Sequence, residues 1–123
     1  MFDFLLLVSA IVLISIDFVY LNFVKGYFNN QVKMIQGTPM SINYLGAAIC
    51  YILLIAGINY FIIKPHKAVS DAFLLGIIIY GVFETTNKAL FSKWSWTTVI
   101  IDTAWGGILF ALTPYVMNLV KNM

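Results

Sequence analysis

Four apolar runs, at residues 2–24, 43–63, 69–91 and 96–120, occupy most of this chain. Each is close to the ~20 residues that carry a helix across the hydrocarbon of a bilayer. In that medium every backbone N–H and C=O needs a partner within the protein, which restricts spanning segments to helices or closed barrels. Barrel strands alternate over about ten residues, whereas these runs are longer and uniformly apolar. The expectation is an all-α fold: an integral membrane four-helix bundle in a single transmembrane domain over all 123 residues, with both termini on the same side.

Composition says which solvent surrounds that bundle. The chain is 62% hydrophobic and 10% charged, with a mean hydropathy of +0.94. A soluble domain carries about 25% charged residues, so the medium for most of this surface is the lipid bilayer, and the localisation is multi-pass integral membrane. The first run has no basic residue ahead of it and exceeds the apolar region of a signal peptide; it reads as a retained span. A net charge of +2 on scattered lysines argues against nucleic acid as a partner. One cysteine, Cys50, and one histidine, His66, leave no internal disulfide, no bis-histidine haem within one subunit and no good zinc site. No metal and no cofactor are expected. All seven basic residues are lysines, so bidentate arginine clamps for phosphate are missing.

The connections carry less information. Residues 25–42 are polar, with Asn29, Asn30, Gln31 and Lys33, and have room for a short interfacial helix before Thr38-Pro39. Pro65 ends the second run in a tight hairpin, where His66 reads as an ordinary loop residue. Ser70 and Asp71 offer an N-terminal cap for the third helix. Trp94 and Trp96 have the position of interfacial anchors, and Cys50 reads as a small packing residue. Pro114 is expected to kink the fourth helix or begin its exit from the membrane. The lysines divide almost evenly between the two faces, so the positive-inside rule assigns no orientation.

Three of the five acids, Asp17, Glu84 and Asp102, lie inside the spans. A carboxylate at the centre of a span costs about 2.5–3.5 kcal/mol on insertion scales, and such residues mark polar sites by default. Asp17 and Glu84 each stand about two turns before the end of their helix, and Asp102 about two turns into its own. With ~1.5 Å of rise per residue, all three fall roughly 10 Å below the same interface. Three helices that place acids at one depth point to a shared polar pocket. Tyr80, Glu84, Asn87 and Lys88 share one face of the third helix, and Asp102, Trp105 and Gly106 share one face of the fourth. Tyr20 follows Asp17 by about a turn, and Tyr51 reaches the same level from the second helix. Thr103, Gly107 and Ala111 form a small-residue row suited to close helix approach.

The candidate binding set is therefore Asp17, Glu84, Asn87 and Asp102, supported by Tyr20, Tyr51, Tyr80, Lys88, Trp105 and Gly106. A purely structural role competes with it: Glu84 and Lys88 are spaced for an internal ion pair, and Asp102 can bond across the bundle as packing glue. Three acids and one lysine hold zero to two negative charges depending on protonation, which suits proton carriage or coordination of a hard cation by oxygens. Nucleophilic catalysis is disfavoured, because no Ser–His or Cys–His pair is available.

The same residues carry a resemblance. Over nearly its whole length the chain resembles a family of small predicted four-span membrane proteins, domain of unknown function 2177. Asp17-Phe18-Val19-Tyr20-Leu21 matches its first-helix motif of Asp, aromatic and Leu. Glu84-Thr85-Thr86-Asn87, with Trp94 shortly after, matches its acid-then-Thr-Asn motif, and Asp102-Thr103-Ala104-Trp105-Gly106 matches Asp-x-x-Trp-Gly. Glu84 stands where the family usually has Asp, and Tyr20 where it usually has Trp. The resemblance implies the four-span fold and the polar set, and brings no activity with it.

Three functions fit these features. The first is proton or cation transport or conduction, with the acids as carriers or ligands, Lys88 as an internal counter-charge, and a homo-oligomer to enclose a path. The second is a structural or accessory subunit of a larger membrane assembly. The third is a membrane-embedded lipid-modifying enzyme that uses the carboxylates as acid and base, although no feature requires an enzyme.

Overall fold

A computed structural model describes residues 4–121 as four helices joined by short connections. They are α1 (Phe4–Gln36), α2 (Tyr44–Ile58, continued by a π-helical turn over Asn59–Ile63), α3 (Val69–Leu90) and α4 (Trp96–Lys121). Each is long and apolar enough to cross a membrane, α2 together with its π-helical turn. Among the described residues there is no strand.

α1 departs most from the sequence reading. Its 33 residues, at ~1.5 Å each, continue well past the expected end of the first span. The polar connection with a separate interfacial helix is replaced by an unbroken extension of α1; the expected start of this span at Phe2 lies outside the described residues. Between Lys25 and Gln36 there is one glycine, Gly26, and no proline, and a lone glycine costs only about 1 kcal/mol. The helix ends where Gly37 takes φ 79° and its amide bonds the Lys33 carbonyl at 2.9 Å, a left-handed glycine stop.

Asn43 caps α2 by accepting the Gly46 amide at 2.9 Å. At the other end the helix widens into the π-helical turn, with Lys64 N–H donating to Asn59 O at 2.9 Å. Buried Asn59 donates to Ser9 Oγ and to the Ile55 carbonyl, each at 2.8 Å, and so ties this turn to the start of α1. Exposed His66 completes the hairpin in the left-handed region, at φ 55°. Asp71, at the start of α3, accepts the Ala68 amide at 3.3 Å. Pro114 does not end α4: the helix continues to Lys121, and Thr113 Oγ1 donates to the Leu109 carbonyl at 2.8 Å.

α3 and α4 form the closest pair, α4 also lies against α1, and α2 is peripheral, packed on α1. The α3–α4 approach is set by glycine. A methyl group at Gly76 would run into the Gly106 carbonyl, one at Gly106 into the Tyr80 ring, and one at Gly107 into Phe73 and Ile77. Close backbone approach of this kind is how helices associate in lipid. A fully buried block of Leu13, Ile58, Leu109 and Phe110 fills the middle of the bundle.

Candidate functional site

The fold brings Asp17, Asp102 and Glu84 into one chain of contacts. Asp17, on α1, is held by two donors: Tyr51 Oη of α2 at 2.5 Å from Oδ2 and Trp105 Nε1 of α4 at 2.9 Å from Oδ1. Tyr20 stands one turn further along α1 and donates to Asp102 Oδ1 at 3.2 Å. Its ring stacks on Trp105, with centroids 4.3 Å apart and planes 5° from parallel. The Asp102 carboxyl in turn stands within hydrogen-bonding reach of Glu84 on α3. Trp94 Nε1 closes the chain with a 2.7 Å bond to Glu84 Oε1.

Burial makes these contacts consequential. Glu84 has no exposed surface, Asp17 is 6% exposed and Asp102 7%. Indole and phenol donors suit such a position, because each brings a large apolar body along with its polar tip. One atom is left over. No N–H or O–H donor among the described residues reaches Glu84 Oε2, and the Asp102 carboxyl is within reach of the Glu84 carboxyl. Two carboxyls in that relation cannot both be ionised without strong repulsion, and a single proton between them turns the repulsion into a hydrogen bond.

A cavity of about 430 Å³ opens onto this chain. Asp17, Tyr20, Tyr80 and Asp102 form its polar side, and Phe18, Leu21, Phe28 and Ile42 its apolar walls. Met40 and Ile42 belong to the segment after α1, which is pinned back by a 2.8 Å bond from the Met40 amide to Asn29 Oδ1. Exposed Lys25 and Asn22 also border the cavity.

The remaining expected residues fall in different places. Tyr51 and Trp105 donate to Asp17, while Tyr80 and Gly106 pack face to face. Asn87 uses its backbone carbonyl to bond the Phe91 amide at 2.8 Å, and its side chain makes no bond among the described residues. Lys88 is not brought to the acids: Nζ donates to the Ser92 carbonyl at 3.2 Å and lies 5.7 Å from the centre of the Trp96 ring. The i,i+4 pairing with Glu84 fails because Glu84 is turned into the bundle while Lys88 reaches along the outside of the helix end. Cys50 is exposed rather than packed.

Trp94 is the residue that sequence reasoning misplaced. It is 6% exposed and bonds Glu84, whereas Trp96, 61% exposed, has the surface position expected of an anchor. The loop is held by a second buried polar group that no motif marked. Gln31 Oε1, on the α1 extension, accepts from the Ser95 amide and from Thr98 Oγ1, both at 2.9 Å, and Tyr27 Oη meets Thr98 Oγ1 at 2.8 Å.

Fold and site together define a polytopic integral membrane protein of four apolar helices with buried carboxylates. The chain belongs to the DUF2177 family of predicted membrane proteins, whose pattern matches residues 3–118. No curated protein and no solved structure is significantly similar to it.

Proposed function

We propose that the Asp17–Asp102–Glu84 chain is a proton-handling site and that the protein moves protons across its membrane. The observation that carries this reading is the Glu84–Asp102 pair: two buried carboxyls in contact, with one oxygen that no donor reaches. Tyr20 both donates and accepts in principle, so its hydroxyl can pass a proton between Asp102 and the cavity. Direct coordination of a metal cation is the weaker form of the idea, because Asp17 already has both oxygens occupied by donors and hard cations need several free oxygens.

A second cavity, bordered by Phe4, Val8, His66, Pro114 and Met117, lies at the opposite end of the bundle. The apolar block around Leu13 and Phe110 separates the two. A complete path therefore requires that block to rearrange, or a route between copies of the chain in a homo-oligomer.

Proton flux into sealed liposomes tests the reading, with wild-type protein beside Glu84→Gln and Asp102→Asn. Flux that is present in the wild type and lost in folded variants supports it; absence of flux in all three sinks it. A role as a structural or accessory subunit is favoured by one observation: the Tyr51–Asp17 bond joins peripheral α2 to the bundle. On that reading the same variants lose stability or assembly and no flux is seen in any of them.

A further inference from the structure

We propose that the cavity beside Asp17 and Asp102 binds a lipophilic organic cation, one whose charge is spread over an apolar body. The inference rests on the reading of the acids as a site that takes up positive charge, and it adds a ligand class to it. Size comes first: about 430 Å³ lies within the range of small-molecule sites, which are mostly apolar with a few convergent polar groups. Four aromatic rings, Phe18, Tyr20, Phe28 and Tyr80, border this space together with the two carboxyls. Aromatic faces beside acids are the chemistry that recognises an organic cation.

The hydrogen bonding narrows the class further. A primary ammonium seeks several hydrogen bonds, whereas both oxygens of Asp17 and Oδ1 of Asp102 already accept one each, from Tyr51, Trp105 and Tyr20. A delocalised or quaternary cation makes no such demand and is attracted by charge and ring faces alone. Behind Asp102, buried Glu84 Oε2 has no donor among the described residues, so no hydrogen bond there offsets the acids that border the cavity. Exposed Lys25 is the one basic group on the border; three acids of the cluster outweigh it. Phe18, Leu21 and Ile42 are exposed on the outer surface of the bundle, so an apolar ligand can enter the cavity from the side. A proton and such a cation would then compete at Asp102, which both pairs with Glu84 and borders the cavity.

The test is equilibrium binding of tetraphenylphosphonium to the purified full-length protein in detergent, with tetraphenylborate as its charge-reversed counterpart. The expected result is saturable binding of the phosphonium, none of the borate, and affinity about tenfold weaker in Asp102→Asn. Leu21→Trp fills the cavity from a wall position and leaves every acid in the sequence, and it should abolish binding even if Asp102→Asn proves unstable. Equal uptake of both ions, or phosphonium affinity unchanged in Leu21→Trp, overturns the proposal. Proton flux measured without any organic cation reports on the proton-handling reading alone, so the two can fail separately.

Discussion

Tyr20 lies flat on Trp105, with ring centroids 4.3 Å apart, and the two rings donate to different carboxylates, Tyr20 to Asp102 and Trp105 to Asp17. One aromatic stack between α1 and α4 thereby sets the positions of two of the three buried acids. A change in either ring is felt by both acids.

Coupling between the rings is the first expectation. Tyr20→Phe and Trp105→Phe keep an aromatic stack but each removes a donor, and hydrogen bonds in membrane bundles are worth about 0.6 kcal/mol, at most ~1.7. Each variant strips a buried carboxylate oxygen of its partner, at about 1–3 kcal/mol. Trp105→Phe should be the more costly, because its bond is the shorter, 2.9 Å against 3.2 Å, and the smaller ring leaves a gap beside Tyr20. In a double-mutant cycle read by thermal unfolding in detergent, the two should couple by at least ~0.5 kcal/mol. Simple additivity would mean that the rings hold their acids independently.

Helix approach gives a sharper contrast. Gly76→Ala places a methyl group against the Gly106 backbone, whereas Gly57→Ala meets nothing within 4 Å. Backbone cannot step aside as a side chain can, so Gly76→Ala should cost about 1–3 kcal/mol or more. Gly57→Ala should be neutral or slightly stabilising, since alanine is the better helix former. Thermal unfolding and monodispersity on gel filtration check both.

Trp94 and Trp96 should separate in the same assay. Trp94→Phe leaves both oxygens of fully buried Glu84 without a donor, at a cost of about 1–3 kcal/mol. Trp96→Phe, at an exposed position, should stay within ~0.5 kcal/mol. Equal effects would show that the Trp94–Glu84 bond contributes nothing.

The α1 extension has its own prediction. Gln31→Ala deprives the Ser95 amide and Thr98 hydroxyl of their shared acceptor and frees the loop that carries Trp94. Amide hydrogen exchange should rise over residues 92–98 while the middle of α4 stays protected. Unchanged exchange in the loop would rule out this latch.

The fold was readable because lipid permits so few spanning structures: once four apolar runs are found, helices follow. The acids were readable for a related reason, since counting residues from each helix end gives depth, and depth brought Asp17, Glu84 and Asp102 to one level. Direction was harder. Lys88 shares a sequence face with Glu84, yet a long flexible stem lets its ammonium leave that face for Ser92 and Trp96. Trp94 sits in a connection where tryptophan normally marks the interface, and only the fold of the loop shows the indole turned back onto Glu84. The family motif did pair the acid with a following Trp, which was the available signal. Gln31 carried none, because a polar residue beyond a span looks the same in a loop as in a helical extension.

On the proposed function the Glu84–Asp102 pair moves a proton rather than merely joining α3 to α4. The double variant Glu84→Gln/Asp102→Asn isolates it, because each amide can donate to the other's oxygen, so that a hydrogen-bonded pair remains without a titratable group. Proton flux in liposomes holding this variant, beside wild type, is the most direct measurement. The expected result is a folded protein of near-wild-type stability with its flux abolished. Flux that persists in the double variant would contradict it.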